Sequence, residues 1–239
     1  CVVLPFNAAF AAQAPDAFIR DVLVQGLGVK YVLVGDDFRF GAKRAGDYAM
    51  LDAAGAASGF DVARMNSYEV RGLRVSSSAV REALNQGRMD DAAALLGRPY
   101  SISGHVVHGR KLGRELGRDA NRPDGFRTLN LRFAHWKPAA SGIFAVRVHG
   151  LGLPLAGVAN LGIRPSLDPQ DVNGGRVLLE THCLDWPDAL GPEGAYGKII
   201  RVELLHKLHD ERKYDSLEAL TEGIARDCDD ARAWFAARI

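Results

Sequence analysis

Val177–Leu184, with the sequence VLLETHCL, is the stretch on which the predicted fold of this chain rests. Its eight mostly apolar residues have the length and composition of a single β-strand. Similar short runs, separated by clusters of Gly, Pro and Asp, lie on both sides of it, at His105–His108, Thr128–Phe133, Ile143–Val148 and Ile199–Leu205. Short strands in this arrangement are typical of an antiparallel barrel or sandwich, which we predict from Tyr100 onward.

The end of the chain carries a helical pattern instead. Asp215 and Glu218 can form a start that resembles a capping box. The apolar positions after it recur at steps of three and four residues, at Leu217, Leu220, Ile224, Cys228, Ala231 and Phe235. A stripe of this kind predicts a C-terminal helix that packs on the barrel.

Strand and helix signals alternate in the part of the chain that precedes Gly97. Strands are predicted at Cys1–Phe6, Lys30–Gly35 and Phe60–Met65, and helices at Pro15–Leu27, Tyr48–Gly59, Ala79–Asn85 and Ala92–Leu96. Ser77 or Ser78 is expected to cap the third of these helices. The alternation favours an α/β layer with a parallel sheet. The break at Gly97-Arg98-Pro99 then predicts two domains, residues 1–97 and 98–239.

Composition narrows the class of protein. The 239 residues are 47% apolar and 25% charged, as in a soluble globular protein, and no apolar run approaches the roughly 18 residues of a membrane span. The net charge is +1, and residues 1–98 hold eleven basic and eleven acidic side chains. Neither half has the excess of positive charge typical of nucleic-acid binding. We therefore expect neither a nucleic acid nor a membrane as a partner.

Cysteine usage and the first residues bear on location. Cys1, Cys183 and Cys228 show no paired spacing, which suits a reducing cytoplasm, and burial in the core is the expected role of the last two. No signal-peptide pattern is present. The chain starts at Cys inside a predicted strand, and we expect the parent protein to extend further at this end.

The segment Gly109–Gly117, GRKLGRELG, combines glycine with basic side chains. Glycine lets backbone N–H groups approach phosphate oxygens closely, and Lys or Arg adds positive charge. The G-K-[ST] ending of a Walker loop is absent. The pattern is compatible with a phosphate-binding loop and equally with an exposed basic hairpin loop.

Thr128 and Asn130 are two residues apart in a predicted strand, so both side chains lie on one face. A hydroxyl and a carboxamide in this arrangement can bind hydrated Mg²⁺, which prefers oxygen ligands. A solvated strand face is the alternative and, for two such residues alone, the more common reason for the pattern.

Glu180 shares a strand face with Leu178 and His182, an unusual position for a carboxylate if that face is buried. A buried charge needs a partner or a function. Action as a general base on an alcohol nucleophile is a function that fits. A glutamate of an edge strand that faces water is the alternative.

Two segments of the first part are candidates for ligand binding. GDDFRFG, Gly35–Gly41, directly follows a strand, the position at which open α/β sheets bind ligands. Ser76-Ser77-Ser78 and Arg81 lie at the start of a predicted helix, where N–H groups, hydroxyls and a guanidinium can bind phosphate. Capping by serine explains the second segment nearly as well.

Taken together and in this order, these segments resemble the prokaryotic bifunctional riboflavin kinase/FMN adenylyltransferase family, also called FAD synthetase, over nearly the whole chain. The resemblance is carried by CVVLPFN, GDDFRFG, VSSSAVR (Val75–Arg81), GRPYSISGHVVHGRKLGRELG, GVANLGIRPS (Gly157–Ser166), LLETHCLDW, YGK (Tyr196–Lys198) and KLHDERKYDSLEAL. It implies a partial, Rossmann-like α/β nucleotidyltransferase domain, followed by an antiparallel β-barrel riboflavin kinase domain with a C-terminal helix. It also implies a cytoplasmic enzyme that uses ATP and Mg²⁺ to convert riboflavin to FMN, and whose full-length parent also converts FMN to FAD.

The resemblance further implies roles for individual residues. Thr128 and Asn130 match the Thr and Asn of the family's Pro-Thr-x-Asn motif, which binds Mg²⁺ and phosphate, and Glu180 matches its catalytic carboxylate. The implied nucleotide-binding residues are Gly109, Gly113, Arg114, Ser77, Ser78 and Arg81, and the implied flavin-binding residues are Asp37, Phe38, Arg39 and Arg164.

The sequence departs from the family pattern in two places. Arg118–Gly125, RDANRPDG, is an apparent insertion before Thr128, and Arg127 replaces the motif proline, a change that can loosen this turn. The N-terminal His-x-Gly-His motif of such adenylyltransferases is absent, so little FAD synthesis is expected from the chain as written. Both departures bear on nucleotide binding.

Two alternatives to an active kinase remain open. One is a flavin-binding module without catalytic activity, in which the insertion and Arg127 have disabled the nucleotide loop. The other is a nucleic-acid-binding protein that uses the basic Arg110–Arg118 loop, for which the affinity would depend strongly on salt. The retention of Thr128, Asn130 and Glu180 favours the active enzyme.

Overall fold

The computed structural model describes residues 1–108, 125–132, 138–164, 176–191 and 193–238, with Arg132, Ile163, Arg164 and Arg176 described by their backbone. Contacts divide the chain into two compact units, Cys1–Glu69 and Val70–Ile239. Each unit has a hydrophobic core of its own.

The N-terminal unit contains a parallel two-stranded sheet, as the alternation of strands and helices predicts. Its elements are the helical turns α1 (Ala8–Ala11) and α2 (Pro15–Ala17), a π-helix (Phe18–Gly26), strand β1 (Tyr31–Gly35), helix α3 (Tyr48–Ser58) and strand β2 (Asp61–Met65). β1 pairs with β2 in parallel register, and α3 connects them. Asp47 caps α3 by accepting a hydrogen bond from the Met50 N–H.

The predicted strand at Cys1–Phe6 is wrong, because these residues form no β-pairing and are exposed. An apolar run becomes a strand only where a neighbouring strand satisfies its backbone N–H and C=O groups. The core of this unit is formed instead by side chains from the π-helix, the strands, α3 and the turns, namely Ile19, Val34, Phe40, Leu51 and Phe60.

Two helices precede the barrel. A short hairpin of β3 (Glu69–Val70) and β4 (Leu73–Arg74) leads into α4 (Ser77–Asn85) and α5 (Met89–Leu96). The N-cap of α4 is Ser76 rather than the predicted Ser77 or Ser78, since its Oγ accepts a hydrogen bond of 3.1 Å from the Ala79 N–H.

The helices α4 and α5 pack on the barrel. Ala83, Leu84, Met89 and Ala92 are buried in the same core cluster as the barrel side chains. The sequence pattern assigns these helices to the first domain, whereas the contacts place them in the second compact unit. The domain boundary at Gly97 stays a prediction, because compactness and evolutionary domain limits are different properties.

Six antiparallel strands form the closed barrel, which confirms the predicted β-structure. They are β5 (Tyr100–Val107), β6 (Leu129–Arg132), β7 (Gly142–His149), β8 (Leu155–Arg164), β9 (Arg176–Cys183) and β10 (Ile199–His209). Around the barrel the order is β10-β5-β6-β9-β8-β7, and β7 pairs with β10 to close it.

Alternating side chains of each barrel strand fill the interior. In β6 and β9 the inward residues are Leu129, Leu131, Leu179 and Thr181, all of them buried. Because the side-chain period of a strand is two, the residues between them lie on the outer face. The candidate functional residues of these two strands are therefore on the outside of the barrel.

β8 is a strand that the sequence pattern does not predict. Glycine is unfavourable in strand interiors, and β8 contains both Gly157 and Gly162. A Cβ on Gly157 would lie 2.7 Å from the carbonyl oxygen of His182 in β9, and one on Gly162 would overlap the carboxylate of Glu211. The glycines thus permit close approach of neighbouring segments, but they weaken the sequence pattern from which a strand would be predicted.

Gly157→Ala is expected to lower the free energy of unfolding by about 1–3 kcal/mol, because the added methyl group collides with backbone rather than with a movable side chain. Urea unfolding followed by circular dichroism measures the change. Ala156→Ser, at a neighbouring and only partly buried position, is the control and should leave stability nearly unchanged. Equal stability of Gly157→Ala and the unmodified chain would contradict the packing argument.

The predicted C-terminal helix is present as α6 (Leu217–Ala236). Its N-cap is Ser216 rather than Asp215, since Ser216 Oγ accepts a hydrogen bond of 3.1 Å from the Ala219 N–H. The apolar stripe packs on the outer face of the barrel through Cys228 and Ala231, next to Ala145 of β7. Leu217, at the start of the stripe, remains 62% exposed.

A buried polar contact fastens α6 to the barrel. Nε2 of His209, the last residue of β10, donates to Oδ1 of Asp227 at 2.6 Å. Nδ1 of the same ring lies 2.7 Å from the carbonyl oxygen of Asp210. Hydrogen bonds in which one partner is charged are stronger than those between neutral groups. This contact therefore helps to fix the position of α6 relative to β10.

The structure bears on two further expectations: the burial of Cys183 and Cys228, and the lack of a membrane-spanning segment. Cys183 and Cys228 are buried, as predicted, and burial raises the pKa of the Cys183 thiol to about 12. A thiol with this pKa remains protonated and unreactive near neutral pH. Among the helices in the described ranges, none combines the length and the apolar character needed to cross a membrane.

Candidate active site

Three polar side chains form a row across the outer face of the barrel. In the strand register, Asn130 of β6 lies opposite Glu180 of β9, and Glu180 lies opposite Asn160 of β8 on its other side. Side chains directly opposite each other on neighbouring strands have Cβ atoms about 5 Å apart. The fold therefore places the predicted base between two carboxamides.

The amide of Asn130 is the most buried polar group of this row. Its side chain is 5% exposed, and its Nδ2 donates to the carbonyl oxygen of Thr128 at 3.4 Å. Its Oδ1 is buried and has no hydrogen-bond partner among the described residues. A buried acceptor without a partner costs about 1–3 kcal/mol, so this oxygen is a position that a group outside the described residues, such as a ligand, can complete.

Thr128 belongs to the same face, two residues before Asn130 and partly buried. The backbone just before it is held by β9, because Nδ1 of His182 donates to the carbonyl oxygen of Arg127 at 2.8 Å. The ring of His182 also packs edge-on against Phe126, with centroids 5.5 Å apart. The hydroxyl of Thr128 and the amide oxygen of Asn130 are thus presented on one side of Glu180.

Arg127, which the resemblance matches to a proline, is anchored by its side chain. The residue is 8% exposed, and its guanidinium carbon lies 5.4 Å from the ring centroid of Trp186. Trp186 is held in turn by a 3.0 Å hydrogen bond from its Nε1 to the carbonyl oxygen of Gly191. A cation–π contact and the His182 hydrogen bond constrain the approach to Thr128, where a proline ring would constrain φ.

Arg127→Ala is expected to lower the free energy of unfolding by about 2 kcal/mol, the magnitude of a desolvated cation–π contact. Arg238→Ala is the matched control, because Arg238 lies 4.0 Å over the Trp234 ring but is exposed. An exposed contact of this kind contributes about 0.5–1 kcal/mol. Chemical denaturation measures both changes, and equal losses would contradict the proposed anchoring by burial.

The other side of Glu180 faces β8 and the segment that follows β10. The Glu211 carboxylate packs directly against Gly162, which lies two residues after Asn160 and on the same face. The residues that follow line an open pocket of about 470 Å³, formed by Tyr214, Asp215, Ser216, Leu217 and Leu220. Its lining combines apolar side chains, Leu217 and Leu220, with polar ones, Asp215 and Ser216.

The described residues contain no conventional acidic or histidine metal centre. In the described ranges, no group of three or more His, Cys, Asp or Glu side chains is placed to hold a metal ion. A cation at the outer-face row would depend on neutral oxygens from Thr128 and Asn130. Such a partial set suits Mg²⁺, which keeps several waters and often shares its coordination with substrate phosphates.

The predicted phosphate-binding residues of α4 lie at the start of that helix. Ser77, Ser78 and Arg81 are exposed and follow the Ser76 cap. The first-turn N–H groups of a helix attract anions, and Arg81 lies one turn further along. The structure accounts for Ser76 by capping, whereas the exposed hydroxyls and guanidinium remain available for a ligand.

The predicted flavin-binding residues of the N-terminal unit form the turn after β1. The Phe38 N–H bonds to the carbonyl oxygen of Gly35 at 3.2 Å, and the Phe38 ring stacks on Phe40 with centroids 5.4 Å apart. Arg39 Nη1 lies 3.2 Å from the carboxylate of Asp47. Asp37 is exposed. The turn is thus braced by its own contacts, and its flavin-binding role stays a prediction.

Four of the predicted site residues cannot be placed by their side chains. Gly109, Gly113 and Arg114 lie outside the described residues, and so does most of the Arg118–Gly125 insertion. Arg164 is the last residue of β8 and pairs with Arg176, but its side chain is outside the described part. Their roles stay predictions.

Asn160 is the member of the row that the sequence analysis did not single out. A signal for it exists, since Asn160 is a polar residue between Ala159 and Leu161, both of them buried. Alternation across an undetected strand places Asn160 on the opposite face from these two. This signal can be interpreted only once β8 is known to be a strand.

Comparisons with known proteins match the two ends of the chain to two different family models. A riboflavin kinase family model matches residues 96–235, and an FAD synthetase family model matches residues 1–79. Among solved structures, one described as a macrolide-efflux protein from Streptococcus pneumoniae matches with a TM-score of 0.66. The match covers 96% of this chain and 68% of that one, at 24% identity, so it bears on the fold alone.

Two curated relatives carry the closer similarity in sequence. The bifunctional riboflavin kinase/FMN adenylyltransferase of Escherichia coli strain K12 is 43% identical over 231 residues, which cover 96% of this chain and 68% of that protein. The protein with the same description in Haemophilus influenzae is 40% identical over 235 residues, covering 98% and 70%. With these relatives and both family models, the chain belongs to the bifunctional riboflavin kinase/FMN adenylyltransferase family.

Proposed function

We propose that this chain transfers the γ-phosphoryl group of ATP to the 5′-hydroxyl of riboflavin, giving FMN and ADP, on the outer face formed by β6, β9 and β8. The observation that carries the proposal is the position of Glu180 between Asn130 and Asn160 in the strand register. Beside it, the Asn130 Oδ1 is buried and lacks a partner among the described residues. Phosphoryl transfer uses a base to accept the proton of the nucleophile and a cation to neutralise phosphate charge. The Glu180 carboxylate is suited to the first role, and the Asn130 Oδ1 can help to bind the cation.

Glu180 acts as the general base in this proposal. The 5′-oxygen of riboflavin forms a bond to the γ-phosphorus, the bond from that phosphorus to the bridging oxygen breaks, and ADP departs. The proton of the hydroxyl passes to the Glu180 carboxylate. Phosphoryl transfer requires little covalent help from the protein, so most of the acceleration comes from positioning and from charge neutralisation.

Thr128 and Asn130 would hold the magnesium ion. Their hydroxyl and amide oxygens are donors of the kind that Mg²⁺ prefers, and the unpartnered Asn130 Oδ1 fits a cation or one of its waters. A magnesium ion held there would neutralise the negative charge that develops on the nucleotide phosphates. Asn130 is pre-oriented for this role, because its Nδ2 is tied to the Thr128 carbonyl oxygen.

The second activity of the family, adenylylation of FMN to FAD, belongs to the N-terminal half in this proposal. Ser77, Ser78 and Arg81 would bind nucleotide phosphate at the start of α4, and Asp37, Phe38 and Arg39 would contact the flavin. The support is the exposed position of the α4 residues and the location of the Asp37–Arg39 turn at the carboxyl end of β1. Gly109, Gly113 and Arg114 for ATP, Arg164 for flavin and a cytoplasmic location remain predictions from the resemblance.

An assay of products tests the proposal. The purified chain is incubated with riboflavin, ATP and Mg²⁺, and FMN, FAD and ADP are separated by liquid chromatography. We expect FMN and ADP in equal amounts, with no FMN when EDTA is in excess. Riboflavin binding without consumption of ATP would support the alternative of a non-catalytic flavin-binding module, and would overturn the kinase proposal.

A further inference from the structure

Asn160 is a polar side chain next to the proposed base that the mechanism so far leaves unused. It lies directly opposite Glu180 in the pairing of β8 with β9. Its Oδ1 is buried and, within the described part of the chain, has no hydrogen-bond partner. A second unsatisfied amide oxygen in one row indicates a second binding position.

The two amides lie on opposite sides of Glu180, and this order gives them different functions. Asn130 and Thr128 are on the β6 side, where the proposal places the metal ion and the phosphates. Asn160 is on the β8 side. The terminal hydroxyl must reach both the Glu180 carboxylate and the γ-phosphorus, so it lies next to Glu180 on the side of the phosphates. The rest of the alcohol substrate can then extend over Glu180 toward the β8 side, where Asn160 lies.

The surroundings of Asn160 support placing the flavin there. The Glu211 carboxylate packs against Gly162 on the same face, so the segment after β10 runs beside β8. Three residues later that segment begins to line the open pocket of about 470 Å³, which includes Tyr214 and the exposed Leu217. A flat aromatic ring system fits a pocket with such side chains, and the contact of Glu211 with Gly162 connects the pocket-lining segment to the face that carries Asn160.

We infer that Asn160 is a substrate-positioning residue whose Oδ1 accepts a hydrogen bond from a hydroxyl group of the flavin's polyol chain. This contact turns the terminal hydroxyl toward Glu180. The inference rests on the proposed function, and it adds a specificity: the site distinguishes flavins that carry a hydroxylated chain from those that lack one. A site built to hydrogen-bond a substrate hydroxyl rejects analogues without it, because its buried acceptor is then unpaired.

The test compares two flavins on two variants. Riboflavin and lumiflavin, which has the same ring system but a methyl group in place of the polyol chain, are titrated by flavin fluorescence without nucleotide or metal. Asn160→Leu removes the acceptor at nearly constant volume, and Asn160→Ser retains an oxygen and serves as a conservative variant if the leucine impairs folding. Affinity for Mg²⁺·ADP, measured by calorimetry, and KM for ATP are recorded in parallel.

We expect Asn160→Leu to weaken riboflavin binding about five- to tenfold, the equivalent of one hydrogen bond, and to leave lumiflavin binding unchanged. The Asn160→Ser variant should lie between it and the unmodified chain. KM for riboflavin should rise, while KM for ATP and Mg²⁺·ADP affinity stay the same.

Three outcomes would overturn the inference, and they differ from a failure of the proposed function. Unchanged riboflavin affinity would exclude the contact. Equal weakening of both flavins would indicate a structural effect, and weaker Mg²⁺·ADP binding would make Asn160 part of the metal site. If the unmodified chain bound neither flavin, the proposed function itself would be overturned, and the inference with it.

Discussion

Glu180→Gln is expected to lower the turnover number for FMN formation by about 10²- to 10⁴-fold, the range that general acid–base catalysis supplies. Glutamine has nearly the same shape but cannot accept the hydroxyl proton. Its amide can still occupy the row between Asn130 and Asn160, so the barrel should keep its structure. Rapid-quench measurement of FMN, with riboflavin and ATP both saturating, gives the change.

The substitution separates catalysis from binding. Affinities for riboflavin and for Mg²⁺·ADP should remain within about threefold of the unmodified chain, since the proton transfer matters mainly in the transition state. Glu203→Gln is the matched control, because Glu203 is also a strand glutamate with a mostly buried side chain, paired with His149 at 3.1 Å and Arg201 at 3.3 Å. A folded Glu180→Gln variant with unimpaired turnover would exclude the base assignment.

Asn130→Leu is expected to weaken nucleotide binding while stability stays the same or increases. Leucine is similar in size but has no oxygen, so Mg²⁺·ADP affinity should fall by about tenfold or more and kcat/KM for ATP should fall with it. The melting temperature should stay the same or rise, because a buried acceptor that lacks a partner in the described structure is removed. Titration calorimetry and thermal unfolding measure the two effects.

Thr181→Val is the control for Asn130→Leu. The Thr181 hydroxyl is also buried and, as far as the structure describes the chain, without a partner, but it points into the barrel. Its replacement should affect stability in the same direction and leave Mg²⁺·ADP affinity unchanged. If Asn130→Leu bound Mg²⁺·ADP normally, the assignment of Asn130 to the metal site would be wrong.

The barrel and the C-terminal helix could be predicted because their patterns are local. Period-two alternation in β6 and β9 and the three- and four-residue steps of α6 reflect which face is buried. β8 was not predicted, because it contains Gly157 and Gly162, which weaken the strand pattern. These two positions require glycine because His182 and Glu211, which are distant in sequence, approach them closely. The strand at Cys1–Phe6 was predicted wrongly for the same reason, since pairing depends on a partner and not on composition.

The helix caps illustrate the same limit at the level of one residue. Ser76 and Ser216 cap α4 and α6, where Ser77 or Ser78 and Asp215 are equally good capping residues by type. The N-cap is the residue whose backbone is extended while the next residue is helical, and packing of the helix decides where that change occurs. Sequence therefore predicts that a cap is present, but not its exact position.

By itself, the sequence pattern predicted the order of the two halves and an antiparallel barrel or sandwich for the second, because these depend on residue type and short-range spacing. The resemblance to the family added the roles of Thr128, Asn130 and Glu180. Only the tertiary structure decided that Asn160 completes the row, that Arg127 is anchored on Trp186, and that the segment after β10 packs against Gly162 of β8. The reason is physical. Strand register joins residues that are tens of positions apart, and no local pattern encodes which residues will meet across it.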